Sequence, residues 1–316
     1  MWRYIARRLL AAVGVLIGAS FLVFLGMRLV PGDPASAILG SRATPQALEA
    51  LRQELGLNRP FFVQYLTWLA KMSRGDFGTS IALSVPVSNV LVPKFWNTLI
   101  LSAGALAIAV PVGTAVGVLS GYWKLSVFDR TGQVFALFGA SIPQFWLALV
   151  LVAVFSLKLG WFPASGMYDM RGDGGQLDLL RHLVLPAVAT STIPMAVIAR
   201  LVRASMIEIM HQDYVRTSRA KGLAERHVVF VHALRNALPQ FINITALQVG
   251  FLLSGALFTE VIFSWPGVGQ ALYNAVVARD LPMVQGAVFV TTLVFVLANL
   301  TADIAQIALD PKARIV

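Results

Sequence analysis

Residues 211–239 read HQDYVRTSRAKGLAERHVVFVHALRNALP. This basic stretch is flanked by two long apolar runs, roughly 183–205 before it and 240–263 after it. About 20 mostly apolar residues are what a helix needs to cross the hydrocarbon core of a bilayer, so the polar stretch is a loop between two membrane spans. Inside it, Asp213 can cap a short helix running through Lys221, because a carboxylate accepts hydrogen bonds from the free N–H groups of a first turn. Gly222 can take the left-handed conformation that ends such a helix. A second helix then starts near Leu223 and leads into the next span at Pro239. The inner loop 206–238 is therefore expected to project as helix–Gly–helix. Arg216, Arg219 and Lys221 surround the small residues Thr217, Ser218 and Ala220. Small side chains let a helix sit deep in a partner's groove, and basic ones steer it there. The plainer alternative is a basic loop without a partner.

Outward from this loop the pattern repeats. Six stretches reach spanning length: 9–29, 98–122, 132–157, 183–205, 240–263 and 284–308. The first follows Arg3, Arg7 and Arg8, as in a signal peptide, but its apolar core exceeds the usual hydrophobic region and no clear cleavage site follows. Six spans put both termini on one side. With that side inside, the cytoplasmic segments hold Lys124, Arg130, Arg200, Arg203, Arg216, Arg219, Lys221, Arg226 and Arg235 besides the terminal basic residues. The two short outer loops hold only Lys158, Arg171, Arg181 and Arg279. Such asymmetry orients a membrane protein.

Composition agrees. Of 316 residues, 57% are hydrophobic and 13% charged, and the mean hydropathy is +0.74. Soluble domains carry about 25% charged residues. The net charge of +10 sits between apolar runs rather than among aromatics on a soluble face, which argues against nucleic acid as a partner. There is no cysteine, so disulfides and thiolate metal sites are excluded. The four histidines (182, 211, 227, 232) lack metalloprotease spacing, and no phosphate-cradling glycine loop is present.

Small residues suggest how the spans pack. Gly14 and Gly18, and then Gly113, Gly117 and Gly121, recur every four residues, a spacing that lets helices approach closely in lipid, within the bundle or against a partner subunit. Pro111, Pro143, Pro186 and Pro194 lie inside spans, where each favours a kink. In the fifth span Thr245, Gln248, Leu252, Gly255 and Thr259 share one face. That stripe either lines a solute path or forms interhelical hydrogen bonds. Gln248 and Thr259, with Phe145 and Trp146, are candidate path residues. Glu260 and Asp303 fall near span ends and are expected to be interfacial groups.

The outer loop 30–97 is too long for a plain connector. Thr44–Pro45 predicts a helix start and Gly56 its stop after about Leu55. A second helix, about 60–72, presents Phe61, Phe62, Tyr65, Trp68 and Leu69, expected at the membrane interface. This small helical periplasmic subdomain either docks a delivery protein or caps the bundle. Residues 264–283 are expected to form an outer turn and helix that helps gate a cavity, the turn supported by Pro266, Gly267 and Gly269.

The 211–239 segment resembles the cytoplasmic loop of ABC-importer permeases, whose signature is Glu-Ala-Ala, three residues, then Gly. Arg216, Thr217, Ser218 and Gly222 occupy the corresponding positions, and the first three depart from the general signature. DYVRTSRAKGL is similar to the version in dipeptide, oligopeptide and nickel permeases. The resemblance extends over essentially the whole chain, through LVPGDPA (Leu29–Ala35), LGLNRPFFVQYLTWL (Leu55–Leu69), RGDFGTS (Arg74–Ser80), NTL (Asn97–Leu99), HALRNALP (His232–Pro239) and EVIFSWPGVGQ (Glu260–Gln270). The segment after span one resembles the first of the two paired permeases of such systems.

The resemblance implies an all-α membrane protein of six transmembrane helices in a bacterial inner membrane, both termini cytoplasmic. Its parts would be the first span (1–29), the periplasmic helical loop (30–97) and a five-helix permease core (98–316). It implies a heterodimer with a second permease, two ATPase subunits below and a periplasmic or lipid-anchored solute-binding protein above. This chain would hold no cofactor, with ATP and Mg in the partner subunits. The helix before Gly222 would be the coupling helix, Asp213 capping it, Tyr214, Thr217, Ser218, Ala220, Lys221 and Leu223 forming its contact surface, and Gly222 providing the bend. Peptides are the expected solutes. A secondary transporter or channel would need an ion site at mid-membrane, and a membrane enzyme would need a catalytic constellation. The spans offer neither.

Overall fold

The computed structural model describes residues 2–29, 34–39, 44–54, 56–169 and 174–309. Residues 30–33 of the LVPGDPA motif, together with Leu55, Arg171, Lys312 and Arg314, lie outside the described residues, as do the side chains of His232, Pro239 and Asp303. Among the described residues the chain is helical and contains no strand. Helix α1 (Trp2–Leu29) is followed by three short helices, α2 (Pro34–Leu39), α3 (Pro45–Glu54) and α4 (Phe61–Met72). Then come α5 (Val87–Tyr122), α6 (Val127–Ser141), α7 (Gln144–Leu151) with a π-helical extension Val152–Lys158, and α8 (Gln176–Met210). The loop after α8 holds α9 (Asp213–Ala220) and α10 (Glu225–His227). A π-helical segment, Val228–Ala233, then feeds α11 (Leu234–Gly255), α12 (Leu257–Ile262), α13 (Val268–Val277) and α14 (Leu281–Leu309).

Among the described residues four helices are long and apolar enough to cross a membrane, and a fifth span exists if α6 and α7 count as one. That pair departs from the sequence expectation. Pro143 was expected to kink one continuous span 132–157, but it stands between two helices whose axes differ by 99°. Proline makes such a break possible. The residue before a proline is pushed out of the helical region, and Ile142 is extended at ψ 125°. Pro111, Pro186 and Pro194 remain inside their helices. The stretch 240–263, expected to be a fifth span, holds most of α11 and all of α12, separated at Ala256, and is not among these spans.

Helices α5 and α8 form the central pair, and the glycine ridge explains their closeness. A methyl group at Gly117 would come within 2.6 Å of the Ala199 carbonyl oxygen, and one at Gly113 within 2.8 Å of that of Met195. One at Gly121 would meet Met206 at 2.7 Å. The ridge is thus used inside the chain, giving tight backbone approach in place of a hydrophobic driving force that lipid does not supply. Gly14 and Gly18 face open space, on a helix α1 whose Leu10 and Leu22 are largely exposed.

The segment between α1 and α5 begins as its sequence predicts. The Thr44 hydroxyl accepts from the Ala47 N–H at 3.3 Å, α3 starts at Pro45, and Gly56 adopts φ +68° beyond the helix end. The aromatic face of α4 packs on α1. Tyr65 meets Phe21 edge-on at 5.4 Å and Trp68 lies 5.5 Å from Phe24. Tyr65 and Ser20 share a hydrogen bond of 2.9 Å. Phe61, Tyr65 and Trp68 are therefore spent within the chain, while Phe62 and Leu66 on the other side of α4 stay exposed.

Candidate functional site

The loop after α8 stands on a packed base. Val215 of α9 is fully buried among Met206, Met210, Val228, Val229 and Ala233, so the short helix is fixed to the end of α8 and to the start of the next helix. Eight residues would not hold a helix in water alone; the buried valine does. The helix ends through backbone geometry. Gly222 adopts φ +76°, its N–H donates to the Arg219 carbonyl at 2.9 Å, and the Lys221 N–H donates to Thr217 at 3.1 Å. Across this turn Arg219 pairs with Glu225, at 2.5 Å from Nη2 and 3.1 Å from Nε. The pair lowers the carboxyl pKa of Glu225 and raises that of Arg219, the hydrogen bond being the main cause in each.

Two expectations for this loop are corrected. Asp213 does not cap α9: the N-cap residue is Gln212, no side chain caps the helix, and Asp213 is its first residue. It contributes only a negative charge beside the positive helix terminus. Tyr214 does not belong to the outward surface. It packs against the same cluster as Val215, and burial raises its phenol pKa. Ser218 is half-buried, its hydroxyl donating to the Tyr214 carbonyl. The outward face includes Asp213, Arg216, Thr217, Arg219, Ala220, Lys221, Gly222 and Leu223. Leu223 also borders an open groove with Ala224, Arg226, His227 and Val231.

The candidate path residues separate. Phe145 and Trp146 are about half exposed on α7, and Gln248 is half-buried on α11. Thr259 is fully buried, and its hydroxyl accepts from Gln144 Nε2 at 2.9 Å. It makes an interhelical hydrogen bond, the other reading of the fifth-span stripe.

At the far end of the bundle, Glu260 overturns its expected place at the interface. It is fully buried. Its carboxylate accepts from Thr98 Oγ1 at 2.7 Å and from the Gln270 N–H at 3.0 Å. A buried carboxylate persists only where donors replace water, and here the first turn of α13 supplies them. Gly267 and Gly269 are required because the turn wraps the carboxylate so closely: a methyl group at Gly269 would lie 2.9 Å from Glu260 Oε2. Trp265 Nε1 donates to the Asn97 carbonyl at 2.8 Å, and Asn97 Nδ2 returns a bond to Pro266 O at 2.9 Å. The NTL and EVIFSWPGVGQ motifs, whose Thr98 and Glu260 are 162 positions apart, thus form one structure. A second carboxylate, Asp280, is buried before α14. It accepts from Ser80 Oγ and from the N–H groups of Ile81 at 3.2 Å and Ala82 at 3.2 Å. The RGDFGTS segment is therefore clamped to the start of α14.

Sequence reasoning also missed Asp129. It is 1% exposed and held by Arg203 at 2.6 and 2.8 Å and by the Leu125 N–H at 2.9 Å. The signal was present in the Ser126-x-x-Asp129 spacing of a capping box: the Ser126 hydroxyl accepts from the Asp129 N–H at 3.1 Å.

The chain is similar to known proteins. Residues 113–315 match the family model "Binding-protein-dependent transport system inner membrane component", and residues 1–102 match the model of its N-terminal region. The chain is 40% identical to the dipeptide transport system permease protein DppB of Alkalihalophilus pseudofirmus, over 99% of this chain and all of that one. It is 40% identical to the di/tripeptide permease DppB of Pseudomonas aeruginosa and 39% identical to the dipeptide permease DppB of Escherichia coli, each over 99% of both chains. A solved inward-facing MetNI methionine ABC transporter shares the fold, with TM-score 0.52 and 20% identity over 70% of this chain and 96% of that one. With a spanning helix bundle, a rigid basic loop and these relatives, the chain belongs to the binding-protein-dependent transport system inner-membrane components, the permease subunits of ABC importers.

Proposed function

We propose that this permease moves peptides inward by alternating access, driven by ATP hydrolysis in partner subunits. The fixed α9–Gly222 projection carries the reading. A helix anchored at Val215 and closed by a left-handed glycine can pass a displacement into α8 and the α11 side without bending. In this reading α9 is the coupling helix and sits in a cleft of an ATPase subunit. Arg216, Thr217, Ala220, Lys221 and Leu223 touch that subunit, Ser218 lies at the edge of the contact, and Asp213, Tyr214 and Gly222 hold the helix in place. Two ATPases bind ATP and Mg, and a second permease completes a heterodimer. The spans number six, counting α6–α7 as one and α11–α12 as another, with both termini and the 211–233 loop cytoplasmic. A solute-binding protein, free in the periplasm or lipid-anchored, delivers to the opposite face, where loop 30–97 lies and α13 helps gate the cavity. Phe145, Trp146 and Gln248 border the path. Peptides are preferred as solutes because relatives at 40% identity include dipeptide and di/tripeptide permeases.

The test is uptake of radiolabelled dipeptide into vesicles containing the complete transporter. Gly222→Pro is expected to abolish uptake while the chain remains inserted and assembled, because proline cannot adopt positive φ. Unchanged ATP-driven uptake by that variant would remove the coupling role from this loop.

A further inference from the structure

A crevice of about 270 Å³ opens between α5, α6 and α8, in the half of the bundle that carries the 211–233 loop. Its two ends differ in chemistry. Gly117 packs on Ala199 and Gly121 on Arg203 and Met206, so Ser120 stands level with Arg200 and Arg203. Gly132 of α6 lies against the Ser120 hydroxyl. This end is therefore polar. Arg203 is held by Asp129, whereas Arg200 is exposed and has no ion pair among the described residues. Ser120 is 1% exposed, and its hydroxyl has no hydrogen-bond partner. Leaving a buried polar group unpaired is costly, so the crevice lacks an acceptor at that point. The other end is lined by Val116, Ala136, Leu137 and Ala196. Leu137 is 64% exposed and Val134 is 52% exposed, so the apolar wall continues onto the open face of α6.

We propose that this crevice binds one anionic phospholipid. Its phosphate would lie on Arg200, an ester carbonyl would accept from Ser120, and an acyl chain would run along Ala136, Leu137 and Ala196. Basic pockets between transmembrane helices at the cytoplasmic side bind anionic head groups, and an exposed apolar helix face in lipid supplies the chain. Charge selects the occupant: a crevice with an unpaired guanidinium at one end and only apolar walls at the other fits a molecule with an anionic head and a hydrocarbon tail. The proposal rests on the permease reading, which the wild-type complex tests separately through ATP-driven uptake.

Native mass spectrometry of the assembled transporter, titrated with phosphatidylglycerol and with phosphatidylcholine, is the experiment. Phosphatidylglycerol is expected to bind more tightly than phosphatidylcholine. Arg200→Ala should weaken phosphatidylglycerol about fivefold, and Arg200→Lys should retain it, since one basic residue is removed or kept. Ala196→Phe, which fills the apolar end and leaves the arginine, should weaken both lipids. Assembly of each variant is checked by the mass of the intact complex. Equal binding of phosphatidylglycerol by the wild type, Arg200→Ala and Ala196→Phe overturns the proposal. So does cross-linking of the Leu137→Cys variant to the second permease at full occupancy, which would mean that protein, not lipid, covers the crevice.

Discussion

The Thr98 hydroxyl donates to Glu260 Oε1 at 2.7 Å and accepts from the Val268 N–H at 3.0 Å. One threonine of α5 thereby joins α12, the turn after it and the first residue of α13. Asp280 does the same at the other end of α13, where its own N–H donates to the Ala275 carbonyl at 2.8 Å while its carboxylate holds residues 80–82. Helix α13 is framed by two buried carboxylates, so it moves with its surroundings rather than as a loose loop.

Replacing Thr98 with valine preserves shape and removes both bonds. Glu260 keeps its Gln270 donor but loses one partner, and an unsatisfied buried group costs about 1–3 kcal/mol. The purified transporter should melt at lower temperature. An unchanged melting temperature would mean that the carboxylate finds another donor.

Asp129→Asn is expected to destabilise strongly. Breaking a buried ion pair by removing one partner costs about 3–5 kcal/mol. The loss here should fall toward the low end, because the Arg203 side chain is 22% exposed. Thermal unfolding of the reconstituted complex measures it, and Asp129→Glu should recover only part, since the pocket accommodates the shorter acid.

Gly222→Ala should be milder than the proline variant. An L-residue in the left-handed region costs about 1–2 kcal/mol, and there is open space for the methyl group. Strain, not collision, is the mechanism. The variant should assemble and transport, with fewer peptides moved per ATP hydrolysed; a wild-type ratio would show that the turn tolerates the strain.

The Arg219–Glu225 pair predicts a pH response of the loop. The folded-state pKa of Glu225 lies below its ordinary value of 4.5. Its contribution is therefore complete above that value and is lost as pH falls through the depressed pKa. Both side chains are about 40% exposed, so the effect is small, about 0.2–1 kcal/mol. Amide hydrogen exchange of residues 219–225, corrected for intrinsic rates, should show protection falling only below the ordinary carboxylate range. Glu225→Gln should flatten that response.

Sequence alone determined the features that depend on local composition and spacing. Apolar length marked the spanning helices at 98–122, 183–205 and 284–308, Thr44–Pro45 marked the start of α3, and the glycine after Lys221 marked the turn. These follow from forces acting within one helix or one turn. Tertiary structure decided the rest. No periodicity places Glu260 against Thr98 or Asp280 against Ser80, because those pairs join distant segments. Pro143 could kink a span or end a helix, and only the surrounding packing selected the 99° break. Asp213 could stand just before α9 or within its first turn, and the folded chain puts Gln212 at the cap and Asp213 at the first helical position. Charges were counted correctly in sequence, but their partners depend on how helices meet in three dimensions.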